Sequence, residues 1–214
     1  MNPTSSAATA WSHIASGDGV SRAIAVFLLG MSILSWTLIL SRSLFSWRAS
    51  RSLDAAMGGY WATPDPAAQL ASLKQADRCG LLLPMAQAVA GVSTPAERTR
   101  ALREALGASR RSLQSGLTAL ASVASTAPFV GLLGTVWGIY HALIGISASG
   151  QASIDRVAGP VGEALIMTAA GLAVAIPALL AYNALVRTQR EILIRLEGFA
   201  HDLQAPASER QQTS

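Results

Sequence analysis

Three polar residues stand out because of where they sit. Glu163, Thr135 and Thr168 fall inside two long apolar stretches between Ala127 and Arg187. An ionisable side chain in a bilayer is costly, so a carboxyl there is a functional candidate by default. A carboxyl that gains and loses a proton is what a proton path requires. Neither stretch contains Lys or Arg. Thr168 lies five residues beyond Glu163, about 7 Å deeper by helical rise, and Thr135 on the antiparallel neighbour lies near the same level. Positions 163 and 168 differ by about 140° around a helix, so they border one cavity only if it is broad or shared with other helices. Two readings follow from the residues alone. One is a polar lining for water, a proton or a small cation. The other is a structural hydrogen bond, since a membrane Thr often only bonds its own i−4 carbonyl.

These residues need helices that cross a membrane. Charged residues make up 13% of the 214, and apolar ones 51%. A soluble domain carries roughly 25% charged residues, so the composition argues for a bilayer. We expect an all-α membrane protein with three spans. Residues 22–42 (AIAVFLLGMSILSWTLILS at its centre) form the first, about the 20 residues a crossing needs. Residues 116–148 hold the second and 157–186 the third, with 149–156 as a short polar loop. Lys and Arg set the direction. Fourteen lie in residues 42–111 and the C-terminal tail, against Arg22 and Arg156 elsewhere. The N-terminal segment 1–21 and the loop are therefore expected outside, and segment 43–115 and the tail 187–214 in the cytoplasm. Trp36, Trp47 and Tyr182 fall at or towards the inner ends of spans. The N-terminus has no basic region before an apolar core, so a cleaved signal is not expected. The tail after Pro206 is polar and expected to lack order.

In the cytoplasmic segment, Thr63-Pro-Asp-Pro66 breaks the preceding helix. Thr94, Pro95 and Glu97 read as N-cap, N1 and N3 of a new one. That helix is expected to run unbroken into the second span, with Leu102, Ala105, Leu106, Ser109 and Leu113 as its packing stripe. Within the spans, Gly131, Gly134 and Gly138 on the second and Gly171 on the third allow close helix approach. Pro128 and Pro177 are expected to kink their helices.

The enzyme class lacks its parts. His13, His141 and His201 are far apart, and neither HExxH nor GxSxG occurs. GLLGTVWG lacks the Lys-Ser/Thr of a P-loop, so ATP is not the energy source the sequence suggests. Cys79 is the single cysteine, which excludes an internal disulfide and a CxxC metal site. It is read as inert. No cofactor, metal or nucleic-acid partner is expected.

The run APFVGLLGTVWGIYHALIGI, followed by VAGPVGEALIMTAAGLAVAIPALLAYNALVR, resembles the ExbB/TolQ proteins of the MotA/TolQ/ExbB proton-channel family. The likeness is strong over residues 115–190, closer to ExbB than to TolQ and distant from MotA. It implies a pentamer of three-span subunits in the inner membrane, enclosing the single-span helices of ExbD-like subunits in a central pore. It implies use of the proton motive force to energise a TonB-like protein for uptake of iron chelates, haem and vitamin B12. Glu163 then matches the family's pore glutamate, and Thr135 and Thr168 its two threonines. The proton carrier would be an aspartate of the ExbD-like partner. The chain departs from the commoner pattern at Gly162, Met167 and Ala170, which touches packing and not the polar positions. A TolQ-like subunit driving TolA for outer-membrane integrity, or a non-conducting scaffold, are the alternatives.

Overall fold

A computed structural model of the chain describes residues 19–92, 94–149 and 154–204. The N-terminal segment, the tip of the polar loop and the tail after Gln204, about which the sequence raised expectations, lie outside the described residues. Those described form six helices and no strand: α1 Gly19–Ala62, α2 Pro66–Ala76, α3 Leu83–Val89, α4 Pro95–Gln114, α5 Leu117–Ser149 and α6 Ile154–Gln204. Helices α1, α5 and α6 each contain a stretch long and apolar enough to cross a membrane. At 1.5 Å per residue, the 44 residues of α1 and the 51 of α6 each exceed twice the hydrocarbon thickness of about 30 Å.

The chain divides into two compact units. One takes the residues up to Ile39 with Ala119–Tyr182; the other takes Leu40–Thr118 and the residues from Asn183 on. In the first unit α1 buries larger apolar side chains and α6 small ones. Ile24, Leu28, Met31 and Ser35 recur at helical spacing on α1, and Ala164, Gly171, Ala175 and Ala178 on α6. Other large apolar side chains face outward, among them Phe27, Ile33, Phe129, Val136, Ile166 and Leu180. Helices apolar all round suit a bilayer or a neighbouring chain, not water.

The second unit is built the other way. Its core gathers Leu53, Ala56 and Tyr60 of α1, Leu73 of α2, Leu82 and Met85, Leu102 and Leu113 of α4, and Ile192, Leu196, Phe199 and Leu203 of α6. Tyr60, Trp61 and Phe199 meet edge-on or tilted, with centroids 4.9–5.7 Å apart. Local chemistry ends and starts each short helix. Asp65 caps α2, its carboxylate accepting from Ala68 N at 3.0 Å. The Asp77 carboxylate accepts from the N–H groups of Leu81, Leu82 and Leu83, tying down the entry to α3. Thr94 caps α4 as expected, its hydroxyl accepting from Glu97 N and donating to Glu97 Oε2. The expected stripe of α4 is inward: Leu102, Ser109 and Leu113 are buried, and Ala105 and Leu106 pack on the core.

One expectation fails. Helix α4 does not run unbroken into the second span; it stops at Gln114, and α5 starts at Leu117. Gly116 has φ +79°, a conformation L side chains rarely adopt and glycine takes at little cost. The Arg42 guanidinium, 70 residues earlier, donates to Ser112 O (3.4 Å) and Ser115 Oγ (2.9 Å), answering the end of α4 from another helix. Helices α5 and α6 continue through Pro128, Pro160 and Pro177.

Candidate proton-path site

The seam between α5 and α6 is set by residues without side chains. A Cβ on Gly131 would stand 2.6 Å from Met167 O and 3.1 Å from the Cα atoms of Thr168 and Gly171. A Cβ on Gly171 would meet Ala127 O at 2.6 Å and Gly131 Cα at 3.0 Å. Here the two backbones touch, which only glycine on both sides permits. Gly134 closes on Met167 Cβ and on Ile24 of α1, and Gly138 on Ala164 Cβ. The seam therefore follows Ala127, Gly131, Gly134 and Gly138 on one helix and Ala164, Met167, Gly171 on the other.

Thr135 and Thr168 sit in this seam. Thr135 is buried, at 5% exposure, and Thr168 is half-buried. Thr168 Oγ1 donates to Thr135 Oγ1 at 3.4 Å, and Thr135 Oγ1 donates to Leu132 O at 2.7 Å. The order of donors is thus fixed along Thr168, Thr135 and the α5 backbone. Two hydroxyls can pass a hydrogen bond along, but neither holds a charge near neutral pH.

Glu163 is placed apart from them. It is exposed on the single chain, beside Ala164, which faces the seam at the level of Gly138. One residue is about 100° around a helix, and this turns the carboxyl off the seam face. The structure brings the two threonines together and leaves Glu163 on another face. That face carries small or compact residues at helical spacing, with Ala170, Val174, Pro177 and Ala181 half-buried along it. Near the far end of α5, His141 Nδ1 lies 3.2 Å from Trp137 O, where only an N–H can pair, so that nitrogen donates. Among the described residues no group of three or more His, Cys, Asp or Glu is placed to hold a metal ion.

The sequence reading singled out the glycines but missed what they pack on. Ala127 and Ile24 complete the seam with Ala164, one of the small residues expected to pack closely, and Met167, noted only as a departure, fills the space opposite Gly134. Their spacing at 164, 167, 171 and 175 is the signal that pairs them. It becomes readable only once the partner helix is known.

Comparison with known proteins agrees with this architecture. The family model described as the MotA/TolQ/ExbB proton channel family matches residues 75–198, more than half of the chain. A "Biopolymer transport protein ExbB" from Xanthomonas campestris pv. campestris is 41% identical over 206 residues, covering 87% of this chain and 81% of its own. One of the same name from Neisseria meningitidis is 40% identical over 211 residues, covering 88% and 92%. A "Tol-Pal system protein TolQ" from Pseudomonas aeruginosa is 33% identical over 221 residues, covering 95% and 94%. With three helices fit to span a bilayer, a carboxyl within the third and a match of this extent, the chain belongs to the MotA/TolQ/ExbB proton channel family.

Proposed function

We propose that this chain is an inner-membrane stator subunit that uses the proton motive force to energise a TonB-like protein, and through it uptake across the outer membrane. The observation that carries the reading is Glu163. It is a carboxyl within an apolar helix, exposed on the single chain, one turn from a seam that holds Thr135 and Thr168. An exposed carboxyl in a bilayer-spanning helix calls for a polar surface that other chains complete. A homopentamer around single-span ExbD-like helices supplies such a surface, with an aspartate of that partner as proton carrier. The N-terminus then lies in the periplasm and the C-terminus in the cytoplasm, as the Lys and Arg distribution favours. Iron chelates, haem or vitamin B12 are the cargo class.

A TolQ-like role with TolA is the second reading. The higher identity to the ExbB relatives, 41% and 40% against 33%, favours the first. A scaffold without conduction is the third.

The test is Glu163→Gln and Glu163→Ala, each co-expressed with ExbD-like and TonB-like partners in cells lacking their own. Siderophore-dependent growth and assembly by native mass spectrometry are scored together. Assembly with lost growth is the expected result. Normal growth removes Glu163 from the coupling, and lost assembly makes the carboxyl structural. Rescue of a detergent-sensitive TolQ-deficient strain, in place of uptake, would move the reading to TolQ.

A further inference from the structure

The core of the second unit contains two polar atoms that the packing does not answer. Ser46 Oγ and Gln189 Nε2 are buried, and neither has a hydrogen-bond partner. Their residues are only 3% and 5% exposed. Buried polar atoms in folded proteins nearly always have a partner, in the protein or in ordered water.

Ser46 differs from many of the helical hydroxyls. The helical hydroxyls of Thr37, Thr99, Thr126 and Thr188 turn back onto the i−4 carbonyl, and those of Ser52, Ser72 and Ser125 onto the i−3 carbonyl. The Ser46 hydroxyl takes neither route. It occupies the inward stripe of α1 with Ala49, Leu53, Ala56 and Tyr60. Gln189 occupies the inward stripe of α6 with Leu185, Ile192, Leu196 and Phe199.

Two contacts fix the register of these stripes. Arg195 Nη1 donates to both carboxylate oxygens of Asp54, at 2.9 and 3.0 Å, and the rings of Tyr60 and Phe199 lie 5.3 Å apart. Both pairs advance in the same sense, so α1 and α6 run parallel here. Counting back from the ion pair, Ser46 lies about 12 Å before Asp54 and Gln189 about 9 Å before Arg195. The two residues therefore differ in level by about 3 Å, and by about 6 Å counted from the Tyr60–Phe199 contact. Side chains on a helix lean towards its N-terminus, which tips Gln189 back towards the level of Ser46.

We infer that Ser46 and Gln189 hold one internal water molecule between them. The water accepts from Gln189 Nε2–H and exchanges a second hydrogen bond with Ser46 Oγ, which meets the two-partner minimum for a buried water. The site is a polar layer in a mostly apolar core, where the buried Ser109 hydroxyl is answered by Leu81 O. It specifies the register in which Asp54 meets Arg195 and Tyr60 meets Phe199.

The sign of a substitution separates this from a dry, unanswered pair. The full-length chain, assembled in nanodiscs, is compared with Gln189→Met, Ser46→Ala and the double variant. A bridged pair gives a lower melting temperature for each single variant, by about 2–4 °C, and a double variant that costs less than the two singles added. A higher melting temperature for Gln189→Met overturns the proposal, because removing an unanswered N–H relieves the fold. A cryo-EM map of the unaltered chain gives a readout independent of the variants. Density between Ser46 Oγ and the Gln189 amide supports the water. Its absence, or direct contact between the two side chains, overturns it.

Discussion

The Thr168 hydroxyl has Thr135 as its acceptor, and the Thr135 hydroxyl has Leu132 O, so the two substitutions are not equivalent. Thr168→Val removes a donor at the head of the chain. Thr135→Val removes the acceptor and leaves Thr168 without it, in the more buried position. Hydrogen bonds between membrane helices contribute about 0.6 kcal/mol on average, so either loss is small in stability. Expected is a drop of about 1 kcal/mol or less for each by reversible unfolding in detergent. Under the proposed function, coupled uptake falls further than that drop explains. Uptake that tracks stability alone would leave both threonines a packing role. In the second unit, Cys79 offers a pH test. Burial pushes its thiol above the usual 9.0, the Asp77 carboxylate adds to the rise, and Arg48 and a bond with Ser52 oppose it. The folded state therefore disfavours the thiolate. Stability is unaffected well below the ordinary thiol pKa and falls as pH rises through and beyond it. Iodoacetamide should label Cys79 more slowly in the folded chain than in the denatured one at the same pH. The half-maximal rate should move to higher pH on folding, and equal profiles would remove the burial effect.

At the scale of elements, glycines that look alike in the sequence have different surroundings. A methyl on Gly131 would stand 2.6 Å from the backbone of α6, whereas one on Gly162 would have nothing within 4 Å. Gly131→Ala must push α5 from α6, while Gly162→Ala gains up to about 1 kcal/mol of helix propensity. The two variants should move the unfolding midpoint in opposite directions, and a shared direction would mean the seam is not closed. Gly116→Ala should cost about 1–2 kcal/mol, because its φ of +79° is left-handed. Caps and spans were legible because their causes are local: Thr94 and Glu97 are three residues apart, and each span is a run of apolar residues. The break after Gln114 was not legible. SRRSLQSGLTAL contains one glycine among residues a helix tolerates, and Arg42, which answers the end of α4, is 70 residues away. The seam was half legible. Small residues announced close packing, but only the fold pairs Gly131 with Gly171 and turns Glu163 onto another face.

Taken whole, the chain uses two different means of cohesion. The second unit buries large side chains as a soluble protein does, and Phe199, fully buried against Tyr60 and Trp61, is among its largest. Phe199→Ala should destabilise it by about 3–5 kcal/mol, read from Trp61 fluorescence during denaturant titration. The Asp54–Arg195 pair is more exposed, at 73% and 40%, and Asp54→Asn should cost no more than about 1 kcal/mol. The reverse ranking would mean that charge pairing, not the core, holds that unit. The first unit buries Ile24, Leu28, Met31 and Leu120, and its α5–α6 seam closes through backbone contact at Gly131 and Gly171. Two rods in contact along their surfaces, with residues seated in each other's notches, cannot spin independently. A turn of α5 about its own axis therefore carries the facing stretch of α6 with it, and the two move as one strut.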